Sequence, residues 1–404
     1  MNKQLINHAN QIVKYAINNV LPTKAVQEAL KGFPTVKGKT YIIAIGKAAY
    51  SMAKAANSTI SCHKGLIVTK YHHSKGPIAN FEIIEAGHPI LDANSLKAGQ
   101  KALDLVQNLS KDDVVIFLVS GGGSALFESA LVDLATLQDI NQQLLKSGAN
   151  IQEINTIRKR LSKVKGGKLA LACQPAQVFN IILSDVINDP LDIIASGCTI
   201  EDQTTSQDAY NIINKYQLDV SKEVKQLLCQ DGVKHLDNVT TKFAGNNTMF
   251  KNAAIKKCRQ LGYQVIDIAH PLTCDINQAE KEMIALYQAN KDKHCAIIAS
   301  GEITLQIKGN GLGGRNQQLA LQLANKLDDN ACALCISSDG TDGPTDCDGA
   351  YCQKDMLDDR LQDYLNRNDS YHYLESIGGL IKTGPTGSNV CDLYVILNQN
   401  KKCK

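Results

Sequence analysis

The stretch DVVIFLVSGGGS, residues 113–124, decides the fold. From Val114 to Val119 the apolar residues run without a break, so the segment has no polar face and must be covered on both sides. It ends in a hydroxyl and three glycines. The next segment, SALFESALVDLATLQDINQQLL (124–145), carries a helical pattern. A buried strand, a glycine turn and a helix make one βα unit. The pattern recurs. YIIAIG (41–46) precedes KAAYSMAKAANSTI (47–60), and VFNIILSDV (178–186) comes after a helical stretch at 151–172. YQVIDIA (263–269), HCAIIASGE (294–302) and ACALCISSDG (331–340) continue it, with helical segments between them. Apolar runs joined by helices predict buried, mostly parallel strands and an α/β fold. ITLQIK (303–308) alternates apolar and polar residues, which predicts a half-exposed strand and a mixed sheet in the second half.

The chain has 404 residues, enough for two domains. Between Asp202 and Thr241 the sequence is polar and helix-like, with no apolar strand. The expected division is therefore 1–238 and 239–404. Lys and Arg number 43 against 40 Asp and Glu; a net charge of +3 excludes a polyanion binder that works by bulk charge. No interleaved aromatic and basic field suggests nucleic acid. The longest apolar run falls far short of the ~20 residues that span a bilayer. MNKQLINHANQIVKYAI lacks both an unbroken apolar core and arginine, so no leader signal is read there. Thirteen cysteines scattered without a framework predict a reduced, cytoplasmic protein.

In open α/β sheets ligands lie beyond the C-terminal ends of the strands. Those ends carry Gly46-Lys47, Ser120-Gly121-Gly122-Gly123-Ser124, Asp185 with Asp189 beyond it, Ser300-Gly301-Glu302, and Ser338-Asp339-Gly340-Thr341-Asp342. The amides of SGGGS can face an anion, or the motif is a tight turn with a serine cap. A lysine in the first turn opposes the helix dipole, so Lys47 is read as anion-bound. The basic run 155–170 (Arg158, Lys159, Arg160, Lys163, Lys165, Lys168) is either a rim for a phosphorylated ligand or a solvated helix face. Asp339, Asp342, Asp346 and Asp348 suit Mg²⁺ held jointly with phosphates, or simply a turn-rich loop. GNGLGG (309–314) matches the dinucleotide spacing, but an amphipathic segment precedes it and Arg315 comes directly after. It is read as a phosphate or nucleotide contact. CALC (332–335) lies within an apolar strand and is not a metal site. His72 and His73 are read as surface residues.

Taken together, AIGKAAYSMA (44–53), EAGHPILDANS (85–95), LVSGGGSALF (118–127), INTIRKRLSKVKGGKLA (154–170), LSDVINDPLDIIASG (183–197), SGEITLQIKGNGLGGRNQQLAL (300–321), SSDGTDGPTDCDGA (337–350) and TGPTGSNVCDLYVIL (383–397) resemble the glycerate 2-kinases with a C-terminal MOFRL domain. The resemblance spans nearly the whole chain and keeps motif order. It departs at Asn188 and Cys198, where the family usually has Gly and Pro, and near Leu91. It implies a Rossmann-like N-terminal domain and an α/β C-terminal domain, with the site in the cleft between them. It also implies ATP-dependent phosphorylation of D-glycerate at its 2-hydroxyl, with Mg²⁺.

On that basis Lys47 and Arg315 are expected to neutralise the transferring phosphoryl group or clamp the glycerate carboxylate. Asp189 is expected to hold Mg²⁺ or to accept the hydroxyl proton. Asp339 and Asp342 compete with it for the metal. Gly46, the Ser120–Ser124 segment (Ser120, Gly121, Gly122, Gly123, Ser124), Glu302, Asn310, Asn389 and Asp392 are expected to contact substrate or nucleotide. A homodimer is a possible assembly. The alternative readings are an NAD(P)H-dependent hydroxypyruvate reductase and a non-catalytic sugar-acid-binding protein.

Overall fold

A computed structural model describes residues 2–399. They fall into two compact units: one of residues 22–184 and 189–244, the other of residues 1–21, 185–188 and 245–404.

The first unit is built on a six-stranded sheet. Its strands are β1 (Thr40–Ile45), β2 (Lys64–Lys70), β3 (Phe81–Ala86), β4 (Val114–Ser120), β5 (Gln177–Leu183) and β6 (Val239–Gly245). They lie in the order β3-β2-β1-β4-β5-β6, and β3 through β5 are parallel throughout. This is the doubly wound order of Rossmann folds, and the strand order reverses between β1 and β4. The apolar run that starts at Val114 forms β4, with every residue buried. Its helix is broken, into a single turn at Gly123–Leu126 and a longer helix at Leu134–Lys146. The stretch 151–172 is likewise two helices, Ile151–Arg160 and Lys168–Ala172, parted by Gly166 and Gly167 in left-handed conformation.

The second unit carries β7 (Gln264–Asp267), β8 (Cys295–Gly301), β9 (Ala331–Ser337), β10 (Gly349–Cys352), β11 (Leu380–Ile381) and β12 (Asp392–Asn398). Their order is β11-β10-β9-β12-β8-β7. Only the β7–β8 pairing is parallel, so the sheet is mixed as expected. Its core packs Leu319, Leu323, Tyr373 and Tyr394 among smaller residues.

Three expectations are corrected. ITLQIK is not a strand; only Thr304 bridges, to Asp275. Ile303 is buried, but Ile307 is 75% exposed, so the alternation had no sheet neighbour to meet. Secondly, the polar stretch ends in β6, whose VTTKFAG sequence is half-exposed over most of its length and so lacks an apolar signature. Thirdly, the first helix, Lys3–Val20, belongs with the second unit and not with residues 22–238. Leu5, Ala9, Ile12, Val13, Ala16, Ile17 and Val20 form one buried face that packs on helix Asn247–Gln260 and on β9. His8 Nδ1 lies 2.8 Å from the Tyr263 hydroxyl. The twelve cysteines among the described residues are free thiols, most of them buried.

Candidate active site

In the first unit the site is built where the strand order reverses. Gly46, at φ +111°, leaves β1 so close to β4 that a β-carbon would overlap the Ser120 hydroxyl and carbonyl. Only glycine allows that approach. Ser120 Oγ accepts from Ala48 N (3.0 Å) and donates to the Ile45 carbonyl (3.2 Å). Its hydroxyl therefore stitches two strand ends together and is not left for a ligand. Lys47 N donates to the Gly121 carbonyl (2.9 Å), while its side chain is exposed and makes no ion pair with the described residues. Lys47 precedes helix Ala49–Thr59, which has no side-chain cap.

Gly122 (φ +85°) sits between the His88 ring and the Lys47 stem; a β-carbon there would lie 3.0 Å from His88 Cδ2 and 3.4 Å from Lys47 Cγ. His88 was not selected from the sequence. Burial, then Lys47, Lys70 and His73, push its pKa below the usual histidine value, so the ring is neutral near pH 7. The signal was present: His88 lies two residues beyond the C-terminal end of β3, but FEIIEA is only half-buried and does not read as a core strand.

The basic run is neither a ligand rim nor a solvated face. Lys165 is fully buried; its Nζ donates to the carbonyls of Ser124 (2.7 Å) and Phe127 (3.1 Å) and lies 3.5 Å from Glu128. Lys168 Nζ donates to the carbonyls of Lys159 and Ser162. Lys159 stands between Asp192 (3.3 Å) and Asp202 (3.5 Å). Arg160 bonds Thr156 and Thr204, and Arg158 bonds Asn141. Of the six, Lys163 alone is exposed. Lys165 thus supports the turn after β4 through the Ser124 and Phe127 carbonyls. Ser124 Oγ lies 3.1 Å from Ser196 Oγ, which donates to Asn155 Oδ1 (2.8 Å).

Asp189 lies on a left-handed backbone, φ +51°, directly after Asn188 at φ +64°. Asparagine is the side chain that best tolerates this region, so the departure from the family's glycine preserves the turn. Such consecutive strained residues collect at functional sites.

In the second unit Arg315 opens helix Arg315–Lys326. Its N-terminus is capped by Asp342, which accepts from Asn316 N (3.1 Å), Gln317 N (2.8 Å) and both amide side chains. Asp342 is buried with both oxygens engaged, so its expected metal role is withdrawn. Register brings Asp392 opposite Gly301 and Ser337, and three distant motifs meet there. Arg315 Nε donates to Asp392 Oδ2 (2.6 Å) and Nη1 to Glu302 Oε1 (2.9 Å). Asp392 has no exposure. Burial raises its pKa to about 6, against the pull of Arg315. Burial disfavours the Arg315 charge in turn, but Asp392 and Glu302 override it and hold its pKa above the ordinary value.

The GNGLGG reading is also corrected. Lys308 N and Gly309 N donate to Asn368, Gly311 N to the Arg367 carbonyl and Leu312 N to Asp369. These amides are used internally, and the glycines admit the 367–370 backbone. Asn310 is exposed and Asn389 half-buried. Asp339 Oδ1 accepts from Ser337 Oγ, Thr341 N and Thr341 Oγ1. Asp348 is buried against Thr383, and Asp346 bonds Tyr371 and Lys382.

Among the described residues no three His, Cys, Asp or Glu side chains converge on a metal position, so a cage made wholly of protein does not fit. A magnesium ion carried by phosphates needs only one or two carboxylates. Asp189, and Asp339 through Oδ2, have that chemistry. No helix of the described residues is long and apolar enough to cross a membrane.

Residues 8–229 match a family described as a domain of unknown function, DUF4147, and residues 295–392 match the MOFRL family. The D-glycerate 2-kinase of Thermotoga maritima is 43% identical, covering 96% of this chain and 97% of its own. An Agrobacterium vitis protein named "Putative hydroxypyruvate reductase" is 34% identical over 96% of this chain and 93% of its own. The crystal structure of glycerate kinase from Thermotoga maritima aligns with a TM-score of 0.93 at 42% identity, covering 98% of this chain and all of that one. The chain therefore belongs to the glycerate kinase family whose N-terminal half is DUF4147 and whose C-terminal half is MOFRL.

Proposed function

We propose that this protein is a glycerate 2-kinase, transferring the γ-phosphoryl group of ATP to the 2-hydroxyl of D-glycerate. The observation that carries the reading is the full-length likeness to glycerate kinases, in a chain that fixes one cation at the end of each sheet: Lys47 in the first and Arg315 in the second. Phosphoryl transfer demands positioning and charge neutralisation more than covalent help from the protein, and those two cations supply the charge. Lys47 is held by its backbone while its ammonium is exposed. Arg315 is aimed by Asp392 and Glu302. Asp189 holds magnesium or accepts the hydroxyl proton; Asp339, whose hydrogen bonds from Ser337 and Thr341 fall on Oδ1, is the alternative carboxylate for the ion. Magnesium, when bound, would neutralise phosphate charge. Gly46, Gly121, Gly122, Gly123 and Ser124 shape the wall beside Lys47, and Asn310 and Asn389 remain candidate polar contacts.

Hydroxypyruvate reduction is the less favoured reading. The segment with dinucleotide spacing has no strand before it, and its amides are engaged within the second unit. The test is ADP release from ATP, Mg²⁺ and D-glycerate, with enolase alone coupling the product, since enolase takes 2-phosphoglycerate and not the 3-isomer. NADH oxidation by hydroxypyruvate without ADP formation would overturn the proposal, as would calorimetric glycerate binding with no turnover.

A further inference from the structure

We propose that Lys70, His73 and His88 form, with Lys47, a seat of two lysine cations and two imidazoles for the polyphosphate of the nucleotide, across the ends of β1, β2 and β3. The inference deepens the kinase reading and rests on it for the identity of the ligand.

Register places the groups. Ile45 pairs with Val68, and Lys70 pairs with Ala86. Lys47 and Lys70 thus each stand two residues beyond the aligned pair Ile45–Val68, and His88 stands two residues beyond Ala86, the partner of Lys70. The chain turns tightly after β2, with His73 N donating to the Lys70 carbonyl (3.1 Å), and this turn carries the His73 ring to 3.5 Å from the Lys47 carbonyl. Gly122 lets the His88 ring close on the Lys47 stem.

These four basic side chains gather without a counter-charge. Among the described residues none of them makes an ion pair. The neighbouring carboxylates are occupied: Glu85 by the Ser74 amide and hydroxyl, Asp92 by the Tyr71 hydroxyl and the Ser95 cap. The mutual repulsion is felt at His88, whose protonation is disfavoured by burial and then by Lys47, Lys70 and His73. Two neighbouring lysine cations with no structural partner mark a place where an anion supplies the compensation, with the imidazoles as further polar contacts.

Charge selects the anion. A three-carbon acid with one carboxylate brings a single negative charge to two lysines. A chain of phosphates brings several, and it can follow successive strand ends that lie ~4.8 Å apart.

The test is calorimetric titration of the full chain with ADP and with inorganic tripolyphosphate, comparing wild type with Lys70→Ala, His73→Gln and the double variant. These are surface or half-buried positions, and thermal melts check folding. Each single change should weaken ADP about threefold to tenfold, the double variant more, and Lys70→Arg should restore most of the affinity. In turnover, KM for ATP should rise in parallel, while KM for D-glycerate stays within about twofold. Unchanged ADP and tripolyphosphate affinity in the double variant overturns the seat. So does a rise in KM for glycerate with ATP unaffected. Tripolyphosphate binding that depends on Lys70, in a protein that phosphorylates no glycerate, supports the seat and refutes the kinase reading.

Discussion

Replacing Asp392 with asparagine should make the protein more stable at neutral pH and less active. Asp392 is wholly buried, and burial lifts its pKa from 3.8 to about 6 even with Arg315 at 2.6 Å. A folded pKa raised above the unfolded one means that the fold binds the proton more tightly than the unfolded chain does. The group's contribution is then fully present below pH ~4 and is lost as pH rises through about 6. The shift is about two units, and one unit is about 1.4 kcal/mol, so keeping Asp392 ionised costs about 3 kcal/mol at pH 7.

Asparagine has the same shape and no charge to bury. It relieves that cost and still offers Arg315 Nε an acceptor, so the variant should melt several degrees higher at pH 7.5 and match wild type near pH 4.5. Turnover should move the other way. Arg315 loses its charged anchor and keeps only the half-exposed Glu302. A charge-assisted bond worth roughly 2–4 kcal/mol in the transition state corresponds to a ~30–1000-fold loss in kcat. In wild type the same proton should lower activity as pH falls through about 6; the variant should lose that limb. The measurements are thermal melts and kcat against pH from 4.5 to 8. A variant that melts lower than wild type at pH 7.5, or that keeps wild-type kcat, would falsify the assignment of Asp392 as a strained anchor for Arg315.

Four further outcomes are expected. Lys47→Ala should cut kcat by ~10²–10⁴ with an unchanged melt, because its side chain is exposed and unpaired; wild-type-like turnover would refute its role. Asp189→Asn should likewise depress kcat more than it lowers the melting point, checked by the same pair of measurements. Gly122→Ala should cost about 1–3 kcal/mol, since its left-handed backbone strains any L side chain and the new methyl meets His88; an unperturbed melt would show that the turn yields to the methyl. Lys165→Ala strands the buried Glu128 and two carbonyls and should cost roughly 3–5 kcal/mol, seen as a lower melting point and not as a change in KM alone.

Burial decides which elements a sequence makes legible. β4 and β9 are buried on both faces and appear as unbroken apolar runs, so both they and the chemistry at their ends could be read. β3 and β6 are half-exposed and show no such run, and with β3 the position of His88 was lost. Arg315 and Asp392 were both identified, but their contact, 77 residues apart, comes from the pairing of β12 between β8 and β9.

The sequence alone determined the α/β class, the strand ends that carry chemistry, and, through its motifs, the family. Each of these depends on local apolar pattern and on residue type. The job of each charge was decided only by the tertiary structure. A lysine in the 158–168 run and Lys47 look alike in sequence, yet one is packed under a glycine turn against carbonyls and the other is held at the surface by its backbone alone. Asp342 and Asp339 share one loop, but the first is consumed by a helix N-terminus that folds onto it. Charge state and hydrogen-bond demand depend on neighbours brought from far along the chain, and those neighbours exist only once the sheets have formed.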